Sequence, residues 1–337
     1  SSSGESGARS PFLHTTRSTV QVLRRVAKEQ SERARLRRQQ VAGMSSTGAS
    51  GGSGRDGGVA AAAGTAAGDP STSTSTSTSS VWSIDGLLQN TSTDAKQILT
   101  SHPGGAYTTA RTVEQGTAIF QLDFHLDRLA TSLQLIREAA AEGSGGKKCD
   151  VVSRADVDAH VMTALRSGIR DFTSKYPTPE GQTNPDLRVT LLLTDEGTAP
   201  FTTYLYVEPL PPPPTPPVVV EVRGQARSNA AAKDSAWVRD RQGIEKARRP
   251  GTNELLLEDA KHRLVEGSQT NFFAVIDGKV HTAEEGVLKG TVRDVVLKVC
   301  AEIGVEVVLE PPATASYLTW EGAFITSTSR LVLPIDV

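Results

Sequence analysis

Cysteine is nearly missing from this chain of 337 residues: Cys149 and Cys300 are the only two. Two cysteines do not build a disulfide framework, and no Cys/His spacing in the chain suits zinc. A reducing compartment fits that usage. No apolar run approaches the roughly 20 residues of a membrane-spanning helix, so no membrane partner is expected. Hydrophobic residues are scarce, at 37%, but the shortage is local. Residues 1–80 are mostly Ser, Gly, Ala, Thr and Arg, and the remainder has ordinary globular composition. The net charge of −2 conceals a strongly basic segment from Arg17 to Arg38. That segment has no interleaved aromatic residues, so nucleic acid is not expected as a partner.

A chain of this length suits two domains plus a tail. Gly48–Ser80 is low in complexity and ends in a Ser-Thr repeat. It offers too little apolar surface to fold, so residues 1–80 read as a disordered tail. Residues 1–43 are rich in Arg and Ser and poor in acids, the composition of a plastid or mitochondrial transit peptide. A basic surface arm, or a start at Met44, fits the same composition; without targeting, the expected place is the cytoplasm. At the other end, Pro334-Ile335-Asp336-Val337 directly follows a hydrophobic strand, which suggests that a C-terminal segment is missing.

Between these ends the hydrophobic spacing resolves elements. Order should begin near Val81-Trp82. Leu126, Leu129, Leu133 and Ile136 predict a helix over His125–Ala140, and Val157, Val161, Leu165 and Ile169 a second over Ala155–Ser174, with a loop at Gly143–Lys148. Leu187–Thr194 and Thr203–Val207 read as strands. Helices segregated from strands give an α+β first domain, residues 81–208. Pro209–Pro217 is nearly all proline, stiff and unfit for a sheet interior, so it is placed as the linker. The second domain, residues 218–337, should hold strands at Val218–Val222, Glu254–Leu257, Asn271–Ile276, Lys279–His281, Val305–Leu309 and Ala323–Thr326. A helix should follow Lys233, and an amphipathic one should span Thr291–Ile303, opened by Gly290 and closed by Gly304.

Several residues carry chemistry. Lys233 follows Ala230-Ala231-Ala232, small residues that let a planar ring approach. A lysine amine must be neutral to attack an aldehyde, and burial beside other cations favours that form. Lys246 competes, but Arg248 and Arg249 beside it mark an exposed helix end. Glu266 lies 266 − 233 = 33 residues beyond Lys233; by itself it reads as a turn carboxylate, with Asn271 capping the turn. Gly290-Thr291-Val292-Arg293 opens a helix, where free N–H groups and the helix dipole suit an anion. Thr326-Ser327-Thr328-Ser329 ends a strand with four hydroxyls. Arg128 lies on a helix face from which a guanidinium can reach a phosphate. A lysine that forms a Schiff base and a glutamate that holds a pyridinium nitrogen are what a pyridoxal phosphate enzyme needs.

Taken in order, these segments resemble the fold-type IV pyridoxal phosphate enzymes, the class IV aminotransferases. That family includes branched-chain and D-amino acid aminotransferases and 4-amino-4-deoxychorismate lyase. Gly105-Ala-Tyr-Thr-Thr-Ala-Arg111 and Phe124-His-Leu-Asp-Arg-Leu129 resemble the family's G-x-(Y/F)-E-x-x-R and E-H-x-x-R-L. Leu264-Val-Glu-Gly-Ser-Gln-Thr-Asn-Phe-Phe273 resembles v-x-E-g-x-x-x-N-x-F, and Val287-Leu-Lys-Gly-Thr-Val-Arg293 resembles L-x-G-I-T-R. Phe324-Ile-Thr-Ser-Thr-Ser329 closes the set, which spans about Gly104 to Ile335. The resemblance implies a two-domain fold with the cofactor in the cleft, and a homodimer. It implies that Lys233 is the Schiff-base lysine, Glu266 the partner of the pyridine nitrogen, and Arg128, Asn271, Thr291, Val292 and Thr328 further cofactor contacts. Tyr107, Arg111, Arg227 and Ser327 fall to the substrate side. Three positions depart from the pattern: Thr291-Val292 stands for Ile-Thr, Thr108 for an acid, and Trp237 for a tyrosine of some members. The activity implied is amino transfer between an amino acid and a 2-oxo acid, of branched-chain or D-amino acid type. A lyase is the alternative, and a non-catalytic binding protein the second. The last would show loss of Lys233 or Glu266, and both are present.

Overall fold

The computed structural model describes residues 79–335 except 103, 144–149 and 196–200. The tail through residue 78, residues 144–148 of the expected loop, Cys149 and the last two residues lie outside the described residues.

The first half builds one antiparallel sheet. Its strands are β1 (Val81–Ile84), β2 (Leu87–Leu88), β3 (Ala106–Val113), β4 (Ala118–Ile119), β5 (Leu187–Thr194) and β6 (Thr202–Pro209), in the order β2-β1-β6-β5-β3-β4. Strand β5 reads LRVTLLLT and is almost wholly buried, as a central strand should be. Its period-2 alternation splits the side chains between two faces. Val189, Leu191 and Leu193 meet the apolar stripes of α2 (Leu122–Gly143) and α3 (Arg154–Lys175), namely Leu126, Leu129, Leu133, Val157, Val161 and Leu165. Ser153 starts α3 with a reciprocal capping box to Asp156. Leu192 faces the other way, with Tyr107, Tyr204 and Tyr206, against Ile98 and Leu99 of a short helix, α1 (Ala95–Thr100), and against Val238. That second face carries the site.

The second half forms an eight-stranded sheet, β12-β11-β10-β9-β8-β7, from which β13 and β14 branch by pairing β13 with β10. The strands are β7 (Val220–Gln225), β8 (Glu254–Glu258), β9 (Leu264–Gly267), β10 (Asn271–Ile276), β11 (Lys279–His281), β12 (Val307–Val308), β13 (Gly322–Ser327) and β14 (Leu331–Ile335). Helix α6 (Thr291–Ile303) lays Val292, Val295, Val296 and Val299 on Phe273 and Phe324, whose rings stack 4.7 Å apart. Gly304 ends it at φ 73°, a left-handed cap that a side chain would strain.

Several expectations shift. Pro209 is the last residue of β6, opposite Leu187, because a strand end tolerates a missing N–H. Strand β7 starts at Val220, two residues late, and β12 shrinks to two residues. The helix after Lys233 is two short ones, α4 (Ala236–Asp240) and α5 (Gln242–Lys246); Lys246 is exposed at the end of α5. Strand β3 and helix α1 carry no clear signal, since AYTTARTV has no regular apolar alternation and α1 has only six residues. Among the described residues no helix is long and apolar enough to cross a membrane, and no group of His, Cys, Asp and Glu could hold a metal ion.

Candidate active site

A cavity of about 370 Å³ is lined from both sheets. Lys233 enters it from a loop pinned to the first sheet. Its carbonyl accepts from the Tyr107 N–H at 2.9 Å, its N–H donates to Ser132 Oγ at 3.0 Å, and the Ser235 N–H donates to the Gly105 carbonyl at 2.9 Å. Ala230 and Ala232 are buried behind it. Lys233 Nζ lies 3.5 Å from the Tyr107 hydroxyl and 4.5 Å from the ring centre. Burial, then the cations Arg128, Arg227 and Arg241, lower its pKa to about 8 against the opposing pull of Tyr107. Burial would raise the Tyr107 phenol, but Lys233, Arg241 and Arg227 outweigh it and bring it to about 8.

Glu266 faces Lys233's cavity from inside β9, opposite Leu257 of β8, so it is a strand carboxylate and not a turn one. It is 2% exposed. Arg227 Nε donates to one oxygen at 2.7 Å and the Leu288 N–H to the other at 3.1 Å. Burial pushes the Glu266 carboxyl up; Arg227 and the Leu288 N–H pull the other way. Arg227 Nη2 also donates to the Ala230 carbonyl, and the guanidinium lies over the Trp237 ring at 5.5 Å. Arg227 thus holds Glu266 and its own loop, which differs from the substrate-side place the resemblance implies.

Asn271 begins β10 and donates from Nδ2 to the Leu288 carbonyl at 2.7 Å. A Cβ at Gly290 would fall 2.0 Å from Asn271 Oδ1, so only glycine admits this contact and the helix start behind it. Thr291 and Val292 open the 13-residue α6, where the first N–H groups have no carbonyl one turn back. Thr326, Ser327 and Thr328 line the cavity at the end of β13. The hydroxyls of Thr291 and Thr326 are buried without a hydrogen-bond partner.

Arg128 reaches the cavity from α2. Its Nη2 donates to Thr108 Oγ1 at 2.9 Å, while its buried Nε has no partner. Among the described residues no carboxylate pairs with it. Burial lowers its pKa to about 10, and Tyr107 offsets part of that. A desolvated guanidinium without a counter-ion, orphaned hydroxyls and a helix N-terminus on one cavity suit an anion with several acceptor oxygens. With an amine and a carboxylate in the same cavity, the donor set fits pyridoxal phosphate.

Arg111 is not brought to this cavity: its Nη2 donates to Asp186 at 2.7 Å, further along β3. Thr109, Arg188, Thr190, Arg241 and Lys96 also line the cavity, outside the candidate site residues named from the sequence. Arg188 and Thr190 left a signal, as polar residues two apart in a β5 whose other residues before Thr194 are apolar. Arg241 left none; only the turn between α4 and α5 carries it beside Tyr107.

A family model for class IV amino-transferases matches residues 105–337. The putative branched-chain-amino-acid aminotransferase of Methanocaldococcus jannaschii is 39% identical over 87 residues, 25% of this chain and 30% of that protein. The branched-chain-amino-acid aminotransferase of Pseudomonas aeruginosa is 25% identical over 233 residues, 66% of this chain and 71% of that one. A hypothetical aminotransferase from Mycobacterium tuberculosis in its PLP-bound form shares the fold, with a TM-score of 0.58 and 15% identity over 76% of this chain and 89% of that one. The family match covers well over half of the chain and includes the strands and helix that build the cavity, so the chain belongs to the class IV aminotransferases, a family of pyridoxal phosphate enzymes.

Proposed function

We propose that this protein transfers an amino group between an amino acid and a 2-oxo acid, with pyridoxal phosphate held in the cavity between the sheets. The observation that carries the reading is the joint placement of Lys233, Glu266 and an Arg128 that lacks a counter-ion. The names of the two relatives favour a branched-chain donor over a D-amino acid. The two sheets are read as two domains, 81–208 and 218–337, joined through 209–217, and the working unit as a homodimer.

When bound, pyridoxal phosphate supplies an aldehyde for amines and a ring that withdraws electrons from the amino-bearing carbon. The chain supplies the rest. The Lys233 amine, with a pKa brought to about 8, takes and returns a proton at Nζ near neutral pH. Tyr107 borders that amine, its hydroxyl 3.5 Å from Nζ. Glu266, buried and oriented by Arg227 and the Leu288 N–H, would accept a hydrogen bond from a protonated ring nitrogen. Arg128, the first amides of α6 and Thr328 would hold the phosphate. Asn271 fixes the turn that sets α6, and Ser327 and Tyr107 border the space left for substrate.

Borohydride reduction of the purified protein, followed by peptide mapping, should leave the pyridoxyl group on Lys233. A label on Lys246, or none, contradicts the assignment. Absorbance change with a panel of L- and D-amino acids should respond to branched-chain L-amino acids, with the amino group delivered to 2-oxoglutarate. Pyruvate release from 4-amino-4-deoxychorismate, without such transfer, would make the protein a lyase.

A further inference from the structure

Strand β3 presents Tyr107 to the cavity and, one residue on, turns Thr108 to the opposite face, toward α2. Thr108 and His125 are both buried there, at 0% and 1% exposure. Thr108 Oγ1 stands 2.7 Å from His125 Nδ1 and 2.9 Å from Arg128 Nη2, and Arg128 Nη2 is 3.4 Å from the same ring nitrogen. His125 and Arg128 are three residues apart on one helix, so their side chains share a face.

The direction of the hydrogen bonds follows from what each group can do. A guanidinium only donates, so Thr108 Oγ1 accepts from Arg128. His125 Nδ1 also faces Arg128 Nη2, a donor only, so Nδ1 is assigned as the acceptor of the threonine proton and the ring proton goes to Nε2, a buried atom with no hydrogen-bond partner among the described residues. Burial, then Arg128 and Lys233, keep the ring neutral by holding its pKa well below 6.5. Arg128 is thus held by a hydroxyl that is held by a neutral imidazole, and no member of that chain brings negative charge. Where the family pattern quoted above has an acid after the tyrosine, this chain has Thr108.

We propose that Thr108 and His125 form a neutral clamp that aims the Arg128 guanidinium into the cavity without neutralising it, so that a bound phosphate meets its whole charge. Both are positioning residues, and the inference rests on the reading of Arg128 as a phosphate ligand. An acid at Thr108 would satisfy the same N–H group and also cancel part of the charge. The clamp orders the cation and leaves compensation to the ligand.

The test compares two ligands on the apo-protein by absorbance titration: pyridoxal phosphate, and pyridoxal, which lacks the phosphate. The readout is the ratio of their affinities. Thr108→Val removes both hydrogen bonds at nearly constant shape and should lower the ratio about five- to tenfold. Thr108→Ser keeps the hydroxyl and should restore the ratio to within about twofold. His125→Leu leaves Thr108 on Arg128 but removes the acceptor behind it, and should lower the ratio by a smaller factor. A wild-type ratio in Thr108→Val overturns the clamp, as does equal loss of both ligands with no rescue by serine. In either case a borohydride label on Lys233 leaves the proposed function standing. A wild-type protein that binds both ligands equally removes the phosphate role of Arg128 and the clamp with it.

Discussion

Two arginines face the cavity from opposite walls and are held in opposite ways. On the six-stranded side Arg128 rests on Thr108 and has no counter-ion among the described residues; on the eight-stranded side Arg227 is paired with Glu266 at 2.7 Å. The second arrangement is electrostatically complete, with both carboxylate oxygens and two guanidinium nitrogens engaged. The first is not. A buried charge without its partner costs several kcal/mol, and a protein keeps one where a ligand will supply the missing sign. One wall therefore prepares a carboxylate, and the other prepares a vacancy for negative charge.

The largest expected effect lies between the walls, at Lys233. Lys233→Ala should lower turnover at least about 10²–10⁴-fold, the usual worth of a positioned acid–base group. Single-turnover reaction with an amino acid reads this directly, and turnover near wild type would show that another amine does the work.

The comparison itself predicts opposite responses to truncation. Glu266→Ala leaves Arg227 buried and unpaired, and should cost about 3–5 kcal/mol of stability in the cofactor-free protein. Arg128→Ala removes a charge that was never compensated, so the cofactor-free protein should be no less stable than wild type. Denaturant unfolding of both variants without cofactor would decide, and equal losses would break the comparison. With cofactor the order changes. Arg128→Ala should weaken pyridoxal phosphate binding about ten- to a hundredfold, as expected for a charge-assisted hydrogen bond, while Thr328→Ala should cost about fivefold. Normal binding by Arg128→Ala with loss in Thr328→Ala would move the phosphate site wholly to the eight-stranded side.

The smallest effect is on pH. Lys233 has a folded pKa of about 8, below the roughly 10.4 of a free lysine. Its charged form is disfavoured in the folded state, so cofactor-free protein gains stability as pH rises from about 8 through the unfolded value, and the full penalty stands below 8. The neutral amine is the reactive form, so cofactor attachment should quicken as pH rises and level off above about 8. Arg241→Gln removes one of the cations that repel the extra proton, and should move that profile to higher pH by less than about one unit. An unmoved or lowered profile would show that Arg241 does not act on the amine.

Much of this was readable before any coordinates. Strands β10 and β11 and helix α6 fall where the sequence puts them: β10 is a short apolar run buried on both faces and parted from β11 by Gly278, and α6 buries one apolar stripe between Gly290 and Gly304. Lys233, Glu266, Arg128, Asn271, Thr291 and Thr328 stand on one cavity, as the ordered motifs implied. Arg111 shares the motif with Tyr107 but not the cavity, since four residues of strand carry it about 13 Å further on, to Asp186. The resemblance implies a substrate-side place for Arg227; its partner, Glu266, comes 39 residues later and is met only when β9 folds against the loop that carries Arg227.

The long helices, the central strands β5, β8 and β10 and the order of the motifs are written in the sequence, because those rest on local periodicity, glycine at fixed points and residue types at set spacing. Which cation is compensated depends on contacts that form when the chain folds. Arg128 and Arg227 are the same side chain, and their difference comes from neighbours far away in the chain: a hydroxyl on β3 for one and a carboxylate on β9 for the other. Charge balance in a buried site is a sum over everything within a few ångströms, and no local pattern in the chain records that sum.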